Sequence, residues 1–451
     1  MYKSKTLNYF MKKIKNNIFI IIIFLIFILI VLLNNNKDFK ILKRETIYPI
    51  LKTIKNNEIL KHTNLAYKNI FLPDTAYGKI DLSQKKIKLN KFRYNVNHGY
   101  GKNYYKPFYI ENYKSDIFII ERNGNMLKFP SKKLTSDVDN INGTQVKSDI
   151  KKFKNIYILD TLIIKDEIFI SFRTEDLKCK KFLIIKSKIK KTLNFEIIYN
   201  PNECGNNIQA GSMQHYNLND KEGILFTLSN PFFYVKNETN LSQSDNSIFG
   251  KIHFLNFENF KTKIFAKGFR NNQGLNVDSK CILSTDHGPE GGDEINNIKI
   301  NKNYGWPLAS YGEPYEKNEI LDYKFPHFLK SHINNNFEEP VFSFLPSIAI
   351  SRLIKMPDNF SNIWKDNYLI ATLNAKSIYR VKFDRECQRV IYFEKIYIGS
   401  RIRDLNISED GKKIYLALEN SGSVGVLQDL KWFFKIVIFV IKIKLLNNQY
   451  L

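Results

Sequence analysis

Residues Gly268–Tyr315 read GFRNNQGLNVDSKCILSTDHGPEGGDEINNIKINKNYGWPLASYGEPY and differ in composition from the rest of the chain. Lys, Asn and Ile dominate elsewhere, whereas Gly, Pro, Asp, Glu, His and Trp are concentrated here. The segment Asp286–Glu294 (DHGPEGGDE) sets three glycines beside a proline and acidic residues. Because glycine lacks a Cβ, such a loop can bring backbone carbonyls and carboxylates close to a ligand. A long connection whose glycines only satisfy turn geometry is the alternative.

Five motifs follow one another in a fixed order in this half of the chain. They are Arg270–Leu275 (RNNQGL), Asp286–Glu294 (DHGPEGGDE), Asn303–Pro307 (NYGWP), Leu345–Ala349 (LPSIA) and Arg401–Leu405 (RIRDL). Together they resemble the signature of the quinoprotein glucose/sorbosone and aldose sugar dehydrogenase family. The resemblance implies a six-bladed β-propeller that holds pyrroloquinoline quinone (PQQ) and calcium and oxidises a sugar or related alcohol.

Short apolar runs closed by turn residues recur along the second quarter of the chain and beyond. Asp116–Arg122 meets the turn Asn123-Gly124 and returns as Met126–Phe129, which predicts a β-hairpin. Gly223–Leu228 and Ser377–Phe383 are further runs of this kind, and no long amphipathic helix is predicted among them. Many short strands are typical of a sandwich, barrel or propeller, and periodicity cannot choose among these folds. The family resemblance predicts the propeller.

Composition sets the class of protein. The 451 residues can bury a large core, and 43% hydrophobic with 14% aromatic residues exclude an intrinsically disordered chain. The net charge of +25 comes from lysines spread through every segment without a dense patch, so no nucleic-acid partner is predicted. The predicted organisation is a cytoplasmic N-terminus (1–17), a transmembrane anchor (18–33), a linker and N-terminal extension (34–109), a propeller (110–427) and an apolar, basic tail (428–451).

Ile18–Leu33 (IFIIIIFLIFILIVLL) is an uninterrupted apolar run near the N-terminus. As a helix it would span about 24 Å, slightly short for a bilayer core. Asn34–Lys37 follows in place of the small residues of a cleavage site, which favours an uncleaved anchor over a cleaved signal peptide. Five lysines and no acid precede the run, which favours a cytoplasmic N-terminus. The expected location is a single-pass membrane protein whose propeller is extracytoplasmic, periplasmic if the protein is bacterial.

Leu430–Leu446 (LKWFFKIVIFVIKIKLL) is a second apolar segment, near the C-terminus. Its four lysines argue against a second membrane span. A basic, aromatic segment is typical of a membrane-surface helix or strand, and a packing extension of the propeller is the alternative.

The four cysteines contain no CxxC pair, so a zinc site is not predicted. In an oxidising compartment Cys179 and Cys204 could join neighbouring strands, and a loop of that length would contribute roughly 3 kcal/mol in the chain-entropy model. Free buried thiols are the alternative.

The resemblance implies that arginines and other polar side chains hold the quinone. Arg270, Arg401 and Arg403 match the family's positions for binding its carboxylates, and Asn271 matches a position beside the ring. A guanidinium suits this task because its fork can hold a carboxylate through two hydrogen bonds, whereas a structural ion pair is the alternative for each arginine alone. Asn374 replaces a lysine of the family.

Two calcium sites are also implied by the resemblance. The main-chain carbonyls of Gly288 and Pro289 match the ligands of a calcium ion beside the quinone. Hard oxygen ligands suit calcium, whose charge would polarise the quinone carbonyl for hydride acceptance. Glu294 and the carbonyl of Tyr304 match a second, structural calcium site.

The sequence departs from the family at the catalytic base. The family uses a His oriented by an Asp, whereas Gln209 and Asn230 stand at the matching positions. A neutral amide cannot take the proton of a sugar hydroxyl, and Asn would not stabilise an imidazolium. His287, within the motif loop, is the alternative candidate for the base.

Two functions therefore remain open from the sequence. One is a membrane-anchored sugar (aldose) dehydrogenase that transfers a hydride to PQQ and passes electrons to a quinone or cytochrome acceptor. The other is a propeller that binds carbohydrate or a surface partner without turnover. The retained arginines and the carbonyl loop favour oxidation, and the replacement of the base by Gln209 and Asn230 favours binding.

Overall fold

The computed structural model describes residues 80–87, 92–93, 104–105, 107–134, 140–176, 179–231, 239–313 and 328–429. Within these ranges the regular structure is β-strand apart from four short 3-10 helices, at Ser131–Leu134, Ile150–Lys152, Thr239–Ser242 and Ile333–Asn335. No helix among these residues is long and apolar enough to cross a membrane. The predicted anchor and the C-terminal tail lie outside them.

Six antiparallel sheets of at least four strands succeed one another along the chain, and they are the blades of a six-bladed β-propeller. The strands of each blade are given from the inside outward. Blade 1 consists of Phe108–Tyr113, Asp116–Glu121, Met126–Pro130 and Thr144–Gln145, and blade 2 consists of Ile156–Ile164, Glu167–Thr174, Phe182–Lys188 and Glu196–Tyr199. Blade 3 consists of Met213–Leu218, Lys221–Leu228, Lys251–Asn256 and Thr262–Lys267. Blade 4 consists of Asn272–Val277, Ile282–Asp286, Asp293–Asn297 and Phe342–Phe344, and blade 5 consists of Ile350–Lys355, Tyr368–Thr372, Ser377–Phe383 and Val390–Tyr397. Blade 6 consists of Ile402–Ile407, Lys413–Leu418, Ser423–Asp429 and Ile80–Ile87.

Short additional strands decorate the blades. Lys302–Asn303 adds in parallel to blade 3, and Asn140–Ile141 adds in parallel to blade 6. Two small pairs join Lys147–Ser148 to Thr192–Leu193 and Phe92–Arg93 to Tyr104–Tyr105. The first strand of each blade contacts the first strands of both neighbouring blades, so these six strands form the inner wall of the ring.

Blade 6 joins the two ends of the propeller. Its outer strand, Ile80–Ile87, pairs antiparallel with Ser423–Asp429, and Ile80 lies opposite Asp429. The segment that the sequence assigned to a linker and extension therefore supplies the strand that closes the ring. Closure of this kind covers the sheet edge that the last strand of the chain would otherwise expose.

Both faces of the second strand of each blade are buried, which explains the nearly continuous apolar sequences of most of these strands. In the predicted hairpin of blade 1, Ile117 and Ile119 pack toward blade 6, whereas Phe118 and Ile120 pack toward blade 2. One such buried cluster lies at each of the six blade interfaces. Gly124 in the hairpin turn has φ 86°, a conformation that residues with a side chain rarely adopt. The predicted all-β, six-bladed propeller is confirmed.

Antiparallel pairing places the loops of each blade on two opposite faces of the ring. The loops from second to third strands, and those from a fourth strand to the next blade, share one face, which we call the upper face. The loops from first to second and from third to fourth strands share the lower face. Apart from Tyr304, every site residue predicted from the sequence lies in an upper-face loop or in the strand end beside it. Tyr304 belongs to the long connection between the third and fourth strands of blade 4, and it follows Lys302–Asn303, which runs along blade 3 to its upper end.

The cysteines form two disulfides, and no free cysteine is present in the described chain. Cys179 and Cys204, whose state the sequence left open, are bonded with their Cα atoms 5.3 Å apart. Cys281 and Cys387 are bonded across the lower face, where they join blade 4 to blade 5.

Candidate active site

Asp293 fixes two of the predicted motifs to each other. Its carboxylate accepts hydrogen bonds from the backbone N–H of Gly288 (3.0 Å), the hydroxyl of Ser347 (2.8 Å), and the N–H groups of Ile348 (2.9 Å) and Ala349 (2.7 Å). Asp293 is 1% exposed, and buried hydrogen bonds to a charged group contribute roughly 1.5–3 kcal/mol each. The segment Asp286–Glu294, which we call the glycine-rich loop, and the LPSIA motif are therefore one structural unit.

The glycine-rich loop folds back on itself and gathers backbone oxygens. A Cβ on Gly288 would lie 2.3 Å from the carbonyl oxygens of both Gly291 and Gly292. These two glycines have φ of 82° and 67°, so the turn needs residues without a side chain. The Ser347 hydroxyl lies 3.5 Å from the carbonyl oxygen of Pro289. The loop thus provides the kind of oxygen that a hard cation prefers.

Asp286 positions the RNNQGL motif. Its carboxylate accepts the backbone N–H of Arg270 (2.9 Å) and of Asn271 (2.5 Å). Burial raises the pKa of Asp286 to about 6, against these two hydrogen bonds. The Arg270 guanidinium in turn donates to the carbonyl of His287 (2.9 Å) and lies 5.5 Å from the ring centroid of Trp306. Arg270 and Asn271 are therefore held beside the glycine-rich loop.

Gln209 and Asn230 lie in adjacent upper-face loops. The N–H of Gln209 donates to the hydroxyl of Ser229 (3.0 Å), and the N–H of Asn230 donates to the carbonyl of Arg270 (2.9 Å). The side-chain amide of Gln273 donates to the Gln209 carbonyl (3.1 Å). The Gln209 side chain is exposed, whereas Asn230 is fully buried. Asn230 therefore lies against Arg270, and Gln209 is joined to the RNNQGL motif through Gln273.

His287 has one ring nitrogen committed to the protein. Its Nε2 is hydrogen-bonded to the carbonyl oxygen of Ile350, and since a carbonyl can only accept, Nε2 carries the proton. Burial lowers the pKa of His287, and Arg270 and Arg403 act in the same direction against Asp293. The neutral ring then has Nδ1 as its acceptor. His287 thus joins the glycine-rich loop to the first strand of blade 5 through Ile350 and lies within the electrostatic influence of Arg403.

Arg401 and Arg403 both bind one buried carboxylate. Their Nε atoms donate to the two oxygens of Glu419, at 2.9 Å and 2.5 Å. Burial alone would raise the pKa of Glu419, but Arg403, Arg401 and Arg122 outweigh it and lower the pKa to about 2. The Arg401 guanidinium also lies 4.7 Å from the ring centroid of Tyr105. Three guanidiniums acting on a single carboxylate leave positive charge that suits an anionic ligand.

Glu294 is buried at the upper end of blade 4. Burial raises its pKa well above the usual range, and Asp286 and Asp293 act in the same direction. The Asn296 amide donates to it (3.3 Å), while Oδ1 of Asn296 is buried without a hydrogen-bond partner. Tyr304 is buried at the upper end of blade 3. In the described ranges no group of three or more His, Cys, Asp or Glu is arranged to hold a metal.

Asn374 is exposed beside the LPSIA motif. Its backbone N–H donates to the carbonyl of Ile348 (3.2 Å), and the Ile348 N–H in turn donates to Asp293. The structure therefore brings Asn374 to the edge of the same loop cluster as Gly288 and Pro289.

The sequence did not predict the ionic cluster in the inner wall below these loops. Arg352 of blade 5 donates to Asp160 of blade 2 (2.8 Å) and to the hydroxyl of Ser212 of blade 3 (3.2 Å). Its Nε lies 3.5 Å from the carboxylate of Asp404 in blade 6. Although burial opposes ionisation, Asp160, Asp404 and Glu111 raise the pKa of Arg352. Four blades are thus linked across the centre of the ring.

Residues 106–427 match the family model described as Glucose / Sorbosone dehydrogenase. The chain belongs to the glucose/sorbosone dehydrogenase family. The resemblance inferred from the five motifs is confirmed, and membership of a family of sugar dehydrogenases supports the expectation of an oxidoreductase.

Two kinds of relative resemble this glucose/sorbosone dehydrogenase family member. Aldose sugar dehydrogenase YliI of Escherichia coli (strain K12) is 31% identical over 175 residues, which cover 38% of this chain and 45% of that protein. The match therefore spans less than half the length of that curated relative. The crystal structure of soluble aldose sugar dehydrogenase from Escherichia coli, in its apo form, has a TM-score of 0.60 at 19% identity, over 78% of this chain and 99% of that one. The PQQ-bound aldose sugar dehydrogenase of Streptomyces coelicolor has a TM-score of 0.54 at 14% identity, over 78% and 99%. At these identities the two structures show a shared fold.

Proposed function

We propose that the protein is a PQQ-dependent sugar dehydrogenase that oxidises a CH–OH group of an aldose or related alcohol. The observation that carries this proposal is the excess of positive charge around Glu419, where Arg401, Arg403 and Arg122 act on one carboxylate. An anion that carries carboxylates, as PQQ does, would balance that charge. Family membership and the PQQ-bound state of the Streptomyces coelicolor relative support the same cofactor.

The residues of the chain fit this cofactor on the upper face. Arg270, Arg401 and Arg403 would hold its carboxylates, with Asn271 and Asn374 as polar neighbours. When bound, the quinone supplies the hydride acceptor. The protein's own part is to orient the sugar carbon toward it and to take up the proton of the sugar hydroxyl.

Calcium is part of the proposal because the loop oxygens suit it. The carbonyls of Gly288 and Pro289 belong to a loop that closes over its own backbone oxygens, where a Cβ would not fit. Glu294 and the unsatisfied Oδ1 of Asn296 form a second group of buried oxygens, near Tyr304. A buried carboxylate whose pKa is raised by its surroundings is stabilised as an anion when a cation binds beside it.

Removal of the proton from the sugar hydroxyl is the step for which the chain lacks the family's base. Gln209 can hold a sugar hydroxyl by hydrogen bonding, and its amide already donates to Asn207 (2.9 Å), but it cannot take a proton at neutral pH. Nδ1 of His287 is the alternative proton acceptor in these upper-face loops. The second candidate function, carbohydrate binding without turnover, rests on this same substitution of the base.

We expect Arg403→Ala to weaken PQQ binding by about 2 kcal/mol, or roughly 30-fold, because a charge-assisted contact is lost. The loss is measured by equilibrium titration in calcium, with the absorbance of the bound quinone as the readout. Arg389→Ala is the matched control, since Arg389 is largely exposed on the lower face and pairs only loosely with Asp384 (3.6 Å). If Arg403→Ala and the wild type bound PQQ with equal affinity, that result would contradict the proposed anion site.

We also propose that Ile18–Leu33 is an uncleaved anchor and that the propeller is extracytoplasmic. Two disulfides support an oxidising compartment, where such bonds persist. The full-length protein is expected to stay with membranes through carbonate extraction, and a chain beginning at Lys43 to lose that resistance. Recovery of the full-length gene product in soluble form, shortened at its N-terminus, would identify the segment as a cleaved signal instead.

A further inference from the structure

Both ends of the propeller lie side by side on the lower face. Ser423–Asp429 is a third strand and runs from the upper to the lower face, and Ile80–Ile87 runs back beside it. Their register places Ile80 opposite Asp429. The preceding chain therefore enters the propeller, and the following chain leaves it, on the face opposite the candidate active site.

The chain that follows Asp429 has a composition suited to a membrane surface. Leu430–Leu446 begins at once, without a linker, whereas 46 residues (34 to 79) separate the predicted anchor from Ile80. In a helix, Lys431, Lys435 and Lys442 would lie within about 40° of arc at 100° per residue, whereas Lys444 would lie on the opposite side. Three aligned lysines on a largely apolar, aromatic segment favour the headgroup interface of a bilayer. Because no linker separates it from the propeller, this second segment restricts which face the propeller turns to the membrane, whereas the long N-terminal connection does not.

The lower face also carries a polar cavity beside the chain ends. It has a volume of about 450 Å³, lies between blades 1 and 6, and is lined by three lysines (Lys114, Lys132 and Lys413), two acids (Glu409 and Asp410) and the serines Ser131 and Ser408. Lys114 also pairs with Asp166 outside the cavity wall (3.4 Å). Such a space is wide enough for a phosphate group and its ester substituents.

Lys413 lies beside the chain ends and provides a positive charge for an anion in the cavity. It pairs with Gln428, the neighbour of Asp429. Its side chain is partly buried, and Asp410 acts on its amine electrostatically without a described ion pair within 4.0 Å. Of the acids in the cavity wall, Asp410 already accepts the hydroxyl of Ser408 (2.7 Å) and the N–H of Lys412 (3.1 Å). The amine of Lys413 is therefore available to an incoming phosphate.

We propose that the lower face of the propeller rests on the lipid headgroups of the membrane, with a headgroup phosphate in the cavity between blades 1 and 6. The composition of Leu430–Leu446 suits the same interface, and the upper face, with the candidate active site, is turned away from the bilayer. This inference rests on the proposed membrane association and is independent of the chemistry of the site.

The test uses the full-length protein in vesicles that contain phosphatidylglycerol, with a quencher attached to a fraction of the headgroups. Because all four cysteines are paired, an introduced cysteine is the sole free thiol for a fluorescent label. Ser115→Cys labels an exposed lower-face loop, and Asn246→Cys labels an exposed upper-face loop. We expect several-fold stronger quenching of the Ser115→Cys label. Equal quenching of the two labels, or stronger quenching at Asn246→Cys, would overturn the proposed orientation.

A pair of lysine substitutions tests the cavity separately. Each lysine near an anionic surface contributes about 1 kcal/mol, so Lys114→Gln with Lys413→Gln should shift the docked population about 30-fold toward the undocked state. Lys221→Gln with Lys280→Gln removes the same charge from lower-face loops of blades 3 and 4, across the ring, and is expected to retain most of the quenching. If both pairs of substitutions reduced the quenching equally, the cavity would not be the phosphate site. Flotation is measured in parallel: protein that does not float contradicts the anchor and the docked face together, whereas floating protein with equal quenching contradicts the docked face alone.

Discussion

Oxidation of sugars by the wild-type protein is expected to be slow, and Gln209→His combined with Asn230→Asp is expected to raise it by at least ~10²-fold. General-base assistance is typically worth about 10²–10⁴-fold, and the double substitution supplies both a base and the carboxylate that orients it. The backbone N–H of Gln209 donates to Ser229 and that of Asn230 donates to the carbonyl of Arg270, and neither contact involves the substituted side chain. The measurement is the steady-state rate of dye reduction at saturating PQQ and calcium.

Two features distinguish a restored base from an incidental gain. The rate of the double variant should increase as pH rises through about 6.5, the pKa of an ordinary imidazole, because only the neutral ring accepts a proton. Gln209→His alone should recover only part of the rate, since its tautomer and orientation are then unconstrained. Asn206→His, at an exposed position of the same loop, is the matched control and should leave the rate unchanged. Rapid turnover by the wild type would instead assign the base to another group, and His287→Ala would then be expected to abolish it.

Removal of the Cys281–Cys387 disulfide is expected to destabilise the propeller more than removal of Cys179–Cys204. The two bonds close loops of 106 and 25 residues, for which the chain-entropy model gives roughly 4.7 and 3.5 kcal/mol. Cys281→Ser with Cys387→Ser should therefore lower the free energy of unfolding by about 4–5 kcal/mol, and Cys179→Ser with Cys204→Ser serves as the matched comparison. The quantity is obtained from urea unfolding monitored by tryptophan fluorescence. A larger loss from the shorter loop would show that local packing, and not loop closure, determines these contributions.

Much of the fold could be predicted because its strands are buried on both sides. Runs such as Asp116–Glu121 are apolar at successive positions since each face packs against a neighbouring blade, and such runs stand out in the sequence. The number of blades came from the motifs and not from periodicity. The closing strand Ile80–Ile87 (IDLSQKKI) was assigned to an extension, because it contains no apolar run and its partner lies more than 300 residues away.

The candidate site was only partly predictable for a related reason. Arg401 and Arg403 lie in a motif, but Glu419, which holds both, comes from the next hairpin and belongs to none. Asp293 is within the motif loop, yet its four hydrogen-bond donors become visible only when blade 4 is folded against the LPSIA loop. Arg352 and its carboxylate partners come from different inner strands that meet only after the ring has closed. Contacts between blades have no local sequence pattern.

The most direct test of this account is an equilibrium titration of the wild-type protein with PQQ in the presence and absence of calcium, followed by the absorbance of the bound quinone. Binding does not depend on the catalytic base, so the absence of a His at position 209 does not affect the readout. We expect saturation at one quinone per chain in calcium, and loss of binding when a chelator is added. A wild-type protein that binds no quinone in calcium would contradict both the cofactor assignment and the proposed dehydrogenase activity.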